Sequence, residues 1–211
     1  MKKICIPLSI IASFILWTIL VIVVDVRAIG PNGSSVGFAT INSFFHDLTG
    51  VNMTLYTITD WLGLVPIAFC FGFGIFGLVQ WIKRKDILKV DYSILALGLF
   101  YIVTMVAYIL FEYVVINYRP VLISGYLEAS YPSSTTLLVL CVMPTAIMQF
   151  NSRIKNRISR RLVAFLITAF IVFMVVGRLI SGVHWLSDII GGALFSAGLV
   201  MLYYYINLIW Q

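Results

Sequence analysis

Hydrophobic residues run along this chain in six long blocks parted by short polar intervals: roughly Ile4–Val24, Trp61–Ile82, Tyr92–Ile116, Thr136–Phe150, Leu162–Val176 and Ile189–Ile209. A helix needs about 20 apolar residues to cross about 30 Å of hydrocarbon. Each block therefore predicts a membrane-spanning helix. The fourth and fifth are short for that thickness, so their helices should begin in the flanking polar residues. The first follows Met-Lys-Lys as a signal peptide would, but its apolar core is too long and no small-x-small site follows it. It reads as a retained helix.

The intervals add detail. In "ATINSFFHDL", Ile41, Phe44, Phe45 and Leu48 recur at i, i+3, i+4, i+7. This predicts a short helix lying in the membrane interface, with Asn42, Ser43 and Asp47 toward water. The expected fold is all-α, a single six-helix membrane domain over residues 1–211 with both termini cytoplasmic and that interfacial helix in the first outer loop.

Composition agrees: 62% of residues are hydrophobic and 10% charged, too little charge for the surface of a soluble domain. The net charge of +6 could suggest nucleic acid, but its placement does not. Lys2, Lys3, Lys83, Arg84, Lys85, Lys89, Arg153, Lys155, Arg157, Arg160 and Arg161 all fall in intervals that alternation assigns to one side. That is the positive-inside pattern, which also admits binding of anionic headgroups on the inner leaflet. No nucleic-acid partner is needed to explain it. Cys5, Cys70 and Cys141 lie in apolar runs and define no disulfide framework. No His/Cys/Asp/Glu cluster has ligand spacing, so neither a metal nor another cofactor is expected.

Alternation brings three polar stretches to the opposite side: "EYVVINYRP" (Glu112–Pro120), "YPSSTT" (Tyr131–Thr136) and "GRLISGVHWLSD" (Gly177–Asp188). Arg119 or Arg178 alone would read as a snorkelling side chain, and His184 alone as a packing residue. Together they are harder to dismiss, because ionisable groups at the bilayer boundary are costly unless paired or functional. Two guanidiniums beside a hydroxyl-rich helix start make a tetrahedral oxyanion site, with Ser133, Ser134 and Thr135 as further donors. A plain helix cap is the other reading of those hydroxyls. His184 and Asp188 are four apart, so on one helical turn the carboxylate would take one imidazole N–H and aim the other nitrogen. An imidazole so oriented toward phosphate is a nucleophile or a base.

These stretches resemble the type-2 phosphatidic acid phosphatase superfamily, six-helix membrane lipid phosphatases with the motifs Lys-x6-Arg-Pro, Pro-Ser-Gly-His and Ser-Arg-x5-His-x3-Asp. The similarity spans about residues 112–192. It implies that Arg119, Arg178 and Ser133 bind phosphate, that His184 attacks phosphorus to form a phosphohistidine, and that Asp188 orients it.

Three positions depart from the family pattern. Glu112 stands for the motif lysine, Gly177 for serine, and Thr135 for the histidine that protonates the leaving group. A threonine hydroxyl is a very poor acid, and general acid catalysis matters most for a poor leaving group. The resemblance therefore implies hydrolysis of a lipid pyrophosphate, such as undecaprenyl pyrophosphate at the outer face of a bacterial cell membrane, ahead of a phosphomonoester. The alternative is a relative that binds or transports a lipid phosphate without hydrolysing it. Glu128 and His46 are candidates for a substitute acid. Glu112, two turns before Arg119, is placed to pair with it and weaken the anion site.

Overall fold

The computed structural model describes residues 2–209, all helix and loop apart from isolated bridges. The helices are α1 (Lys2–Val23), α2 (Ala39–Thr49), α3 (Met53–Leu62), α4 (Leu64–Arg84), α5 (Tyr92–Tyr113), α6 (Ser134–Arg153), α7 (Arg157–Ile180) and α8 (Leu186–Ile209). Among the described residues six spans are long and apolar enough to cross a membrane, α3 and α4 together making one of them over Met53–Arg84. The second span thus starts eight residues before the hydrophobic block suggested. It breaks at Gly63, because the ring of Pro66 clashes with the carbonyl four residues back and removes one helical hydrogen bond.

The short fourth and fifth blocks do extend into polar flanks. α6 gains Ser134 and Thr135 at its start and runs to Arg153, and α7 begins at Arg157. Asn156 caps α7 by accepting from the Ile158 and Ser159 amides. α6 is the most enclosed span and packs against α4, α5, α7 and α8. Leu137, Val139, Cys141, Val142 and Met143 are fully buried there, against Leu97, Met174 and Tyr203. Phe71, Phe165 and Ile102 point outward, as residues facing lipid tails should.

One end of the bundle carries Arg84 and Arg153, both paired with Asp91. Such partly exposed pairs contribute about 0–1 kcal/mol each. The other end carries the three polar stretches. α2 forms as expected, with Ile41, Phe44 and Leu48 exposed. Asn42 departs from expectation: it is buried, not turned to water, and its amide bonds Gly37 O at 2.7 Å and Ser187 Oγ at 2.9 Å. Asn42 Oδ1 accepts from the Ser187 amide at 3.1 Å. α2 is therefore pinned to the start of α8 by its polar side.

Candidate active site

Arg178 lies in the last turn of α7 with 1% of its surface exposed. Its Nη1 donates to Thr59 Oγ1 at 3.4 Å and sits 3.6 Å from Asp60 Oδ1, both on α3. Arg119 comes from the loop after α5. Its backbone N–H donates to Glu128 O, and its Nε lies 3.1 Å from Glu128 Oε2. Glu112 is thus not the carboxylate paired with Arg119. α5 ends at Tyr113, so no helix relates Glu112 to Arg119. Glu112 instead borders a small hollow shared with Ser130 and Ser134. The Tyr56 ring lies beside both guanidiniums, 4.9 Å from Arg178 Cζ and 5.8 Å from Arg119 Cζ, within cation–π range.

Both arginines converge on His184. Arg119 Nη1 is 3.2 Å and Arg178 Nη2 is 3.3 Å from His184 Nε2. An arginine only donates, so Nε2 accepts from both and carries no proton. Burial, then the charges of Arg119 and Arg178, hold the imidazole's pKa well below the ordinary 6.5. The ring is neutral at physiological pH, with its bare nitrogen facing two cations. Two buried guanidiniums against one neutral imidazole leave positive charge to compensate. Glu128 and Asp60, both partly exposed, offset that charge only from the edge, and among the described residues the buried Arg178 Nε has no hydrogen-bond acceptor. A bound tetrahedral oxyanion fits that arrangement.

The histidine sits in the five-residue link from α7 to α8. Gly182 turns it with φ +66°, and a Cβ there would lie 1.9 Å from Gly50 O. Only glycine meets both conditions. α8 starts at Leu186, so His184 precedes the helix and does not share a turn with Asp188, contrary to the four-residue spacing argument. His184 Nδ1 is 4.0 Å from Asp188 Oδ2, beyond hydrogen-bond reach. Asp188 instead closes the helix start: at the third helical position, it accepts from the Trp185 amide at 3.0 Å, one half of a capping box. It also accepts from Ser130 Oγ, Ser187 Oγ and Asn117 Nδ2, at 2.5, 3.3 and 3.4 Å.

Ser133 is at the N-cap of α6, yet its side chain makes no capping bond. Its amide donates to Asp188 O and its Oγ accepts from Thr136. Ser134 and Thr135 form the first turn. Thr135 faces the α3–α4 break, its methyl 3.7 Å from where a Gly63 Cβ would be. His46 lies 5.5 Å, ring to ring, from Trp185. The structure therefore joins Arg119, Arg178 and His184 directly, brings Asp188 to the ring only through Ser130, and sets Ser133 behind Asp188. Sequence reasoning missed Ser130, Asn117, Asn42, Ser187 and Tyr56. Asn117 and Ser130 do lie inside or beside the polar stretches, but nothing in their spacing marks them.

Apolar spans with two buried arginines and an imidazole gathered at one end define a class: a polytopic membrane protein with a cationic polar cluster at one end of its bundle. The sequence model of the PAP2 superfamily matches residues 93–210, more than half of the chain, and the chain belongs to that superfamily. No curated protein matches it. Among solved structures it is similar to the first transmembrane PAP2 type phosphatidylglycerolphosphate phosphatase from Bacillus subtilis. That likeness has 18% identity and a TM-score of 0.56, covering 100% of this chain and 98% of the other. At that identity it speaks for the fold alone. Family membership supports a lipid phosphatase in general.

Proposed function

We propose that this protein is a metal-independent lipid phosphatase working through a phosphohistidine. The observation that carries the reading is the convergence of Arg119 and Arg178 on the unprotonated Nε2 of His184. Phosphate oxygens bind the two guanidiniums, which holds phosphorus in front of Nε2. Nε2 attacks, the phosphorus–oxygen bond to the leaving group breaks, and a phosphohistidine forms. Water then cleaves the phosphorus–nitrogen bond, releasing inorganic phosphate and restoring the imidazole.

The first step lacks a motif acid, since Thr135 stands in that position. An alkoxide leaves poorly without a proton, whereas a phosphate leaves readily. A pyrophosphate lipid such as undecaprenyl pyrophosphate is therefore the favoured substrate. The site lies at the bundle end opposite Arg84, Lys89 and Arg153, and the positive-inside rule then turns it to the outer face of a bacterial cell membrane.

Phosphate release by purified protein, across a panel of lipid monophosphates and pyrophosphates, tests the proposal. Release should be fastest from pyrophosphates and absent in His184→Gln. Saturable lipid binding with no release from any member would favour the second reading, recognition or transport without hydrolysis, which the loss of the motif histidine at Thr135 supports. Full release by His184→Gln would refute the phosphohistidine route.

A further inference from the structure

Ser130 lies in the loop before α6, 2% exposed, and its amide is fixed by a 2.9 Å bond to Asn117 O. Its hydroxyl stands between the two groups expected to touch. Oγ is 3.0 Å from His184 Nδ1 and 2.5 Å from Asp188 Oδ2. The direct distance between ring and carboxylate is 4.0 Å.

We infer that Ser130 is a positioning residue: its hydroxyl couples His184 to Asp188, accepting from the imidazole Nδ1 and donating to the carboxylate. The direction of each bond follows from what its partners can do. A carboxylate accepts only, so the Ser130 O–H is committed to Asp188. Oγ then has only lone pairs to offer, and Nδ1 must donate to it. Nδ1 therefore carries the ring hydrogen. The opposite edge reaches the same result independently, because Nε2 meets two guanidinium N–H groups and has to accept. Both edges select the Nδ1–H tautomer. In that state the Nε2 lone pair points at the oxyanion site, and charge developing on the ring reaches Asp188 through the serine. Asn117, which fixes the Ser130 backbone, also donates to Asp188, so one asparagine sets the spacing of the relay.

The catalytic part of this inference rests on the phosphatase reading, but the tautomer does not. The chain has two histidines, so protein carrying 15N only in histidine gives signals from two rings, and His46→Gln identifies which is His184. The wild-type spectrum should show His184 as a single neutral tautomer, protonated at Nδ1. A ring protonated at Nε2, or an even mixture, would overturn the inference whatever any variant does. Ser130→Ala should keep the tautomer, which the two arginines still select, but shift the Nδ1–H resonance as its acceptor is lost, with kcat falling about 10- to 100-fold, as when a group orienting a functional imidazole is removed, and KM little changed. Ser130→Thr, which keeps the hydroxyl, should retain the wild-type Nδ1–H resonance and most of the rate. An Ala variant with unchanged Nδ1–H resonance and kcat would mean that the ring contacts Asp188 directly and the serine is dispensable. Absence of phosphate release by the wild type, with the Nδ1–H resonance still dependent on Ser130, would refute the phosphatase reading and leave the positioning role standing.

Discussion

Asp188→Asn isolates the charge of the orienting carboxylate. Its shape survives: an Asn oxygen can still accept from Ser130 and from the Trp185 amide, which keeps the relay and the capping box. The new NH2 then faces Asn117 Nδ2 and Ser187 Oγ. The serine hydroxyl can rotate to accept it, and the unpaired Asn117 donor costs about 1–3 kcal/mol of stability at most. What disappears is a negative charge 4.0 Å from Nδ1. As Nε2 attacks phosphorus, the ring becomes cationic. At an effective dielectric of about 20, opposite charges 4 Å apart attract by about 4 kcal/mol. Both side chains are essentially fully buried, so solvent screening takes little from that figure. At 1.36 kcal/mol per tenfold, kcat should fall about 1,000-fold, with KM little altered because the arginines remain. Steady-state release from a lipid pyrophosphate in proteoliposomes measures this, alongside the thermal midpoint to confirm folding. A folded variant within about threefold of wild-type kcat, less than 1 kcal/mol, would show that ring charge is not stabilised by Asp188.

Thr135→His should restore a proton donor and raise release from phosphomonoesters far more than from pyrophosphates, within the 10²–10⁴ that general acid catalysis is worth, roughly. Equal gains on both would mean improved binding instead. His184, kept neutral by burial and two cations, should place the acid limb of kcat/KM below pH 6.5, and Arg119→Gln should move it upward by removing one cation. The same group makes folding pH-dependent: the unfolded ring takes a proton below its ordinary pKa and the folded ring resists it. Stability is thus full above that pKa and declines as pH falls below it. A limb at or above the ordinary histidine value would contradict the burial. Gly182→Ala should lower the thermal midpoint and activity together, since left-handed backbone costs a residue with Cβ about 1–2 kcal/mol and the new methyl would meet Gly50 O. An unchanged midpoint would refute that account.

Six spans, the short amphipathic helix between the first two, the end of the bundle that carries basic residues, and the gathering of Arg119, Arg178, His184 and Asp188 at the other end were all legible in the sequence. Each rests on a local rule: apolar length, helical period, charge asymmetry, or residue types at a fixed spacing. The break at Gly63 was legible in principle, because Pro66 acts through its own helix. What the sequence could not give was the start of α8. Whether His184 and Asp188 share a helical turn depends on the Gly182 turn against Gly50, a contact across more than a hundred residues. With His184 outside the helix, the carboxylate is too distant and a hydroxyl from another loop fills the space. The same holds for Glu128 replacing Glu112 as the partner of Arg119, and for Asn42 turning inward to hold Ser187. Local pattern names the residues that can carry charge and chemistry. Which pairs of them meet is decided by how the loops close over the bundle end, because hydrogen bonds tolerate only tenths of an ångström and sequence spacing carries no such resolution.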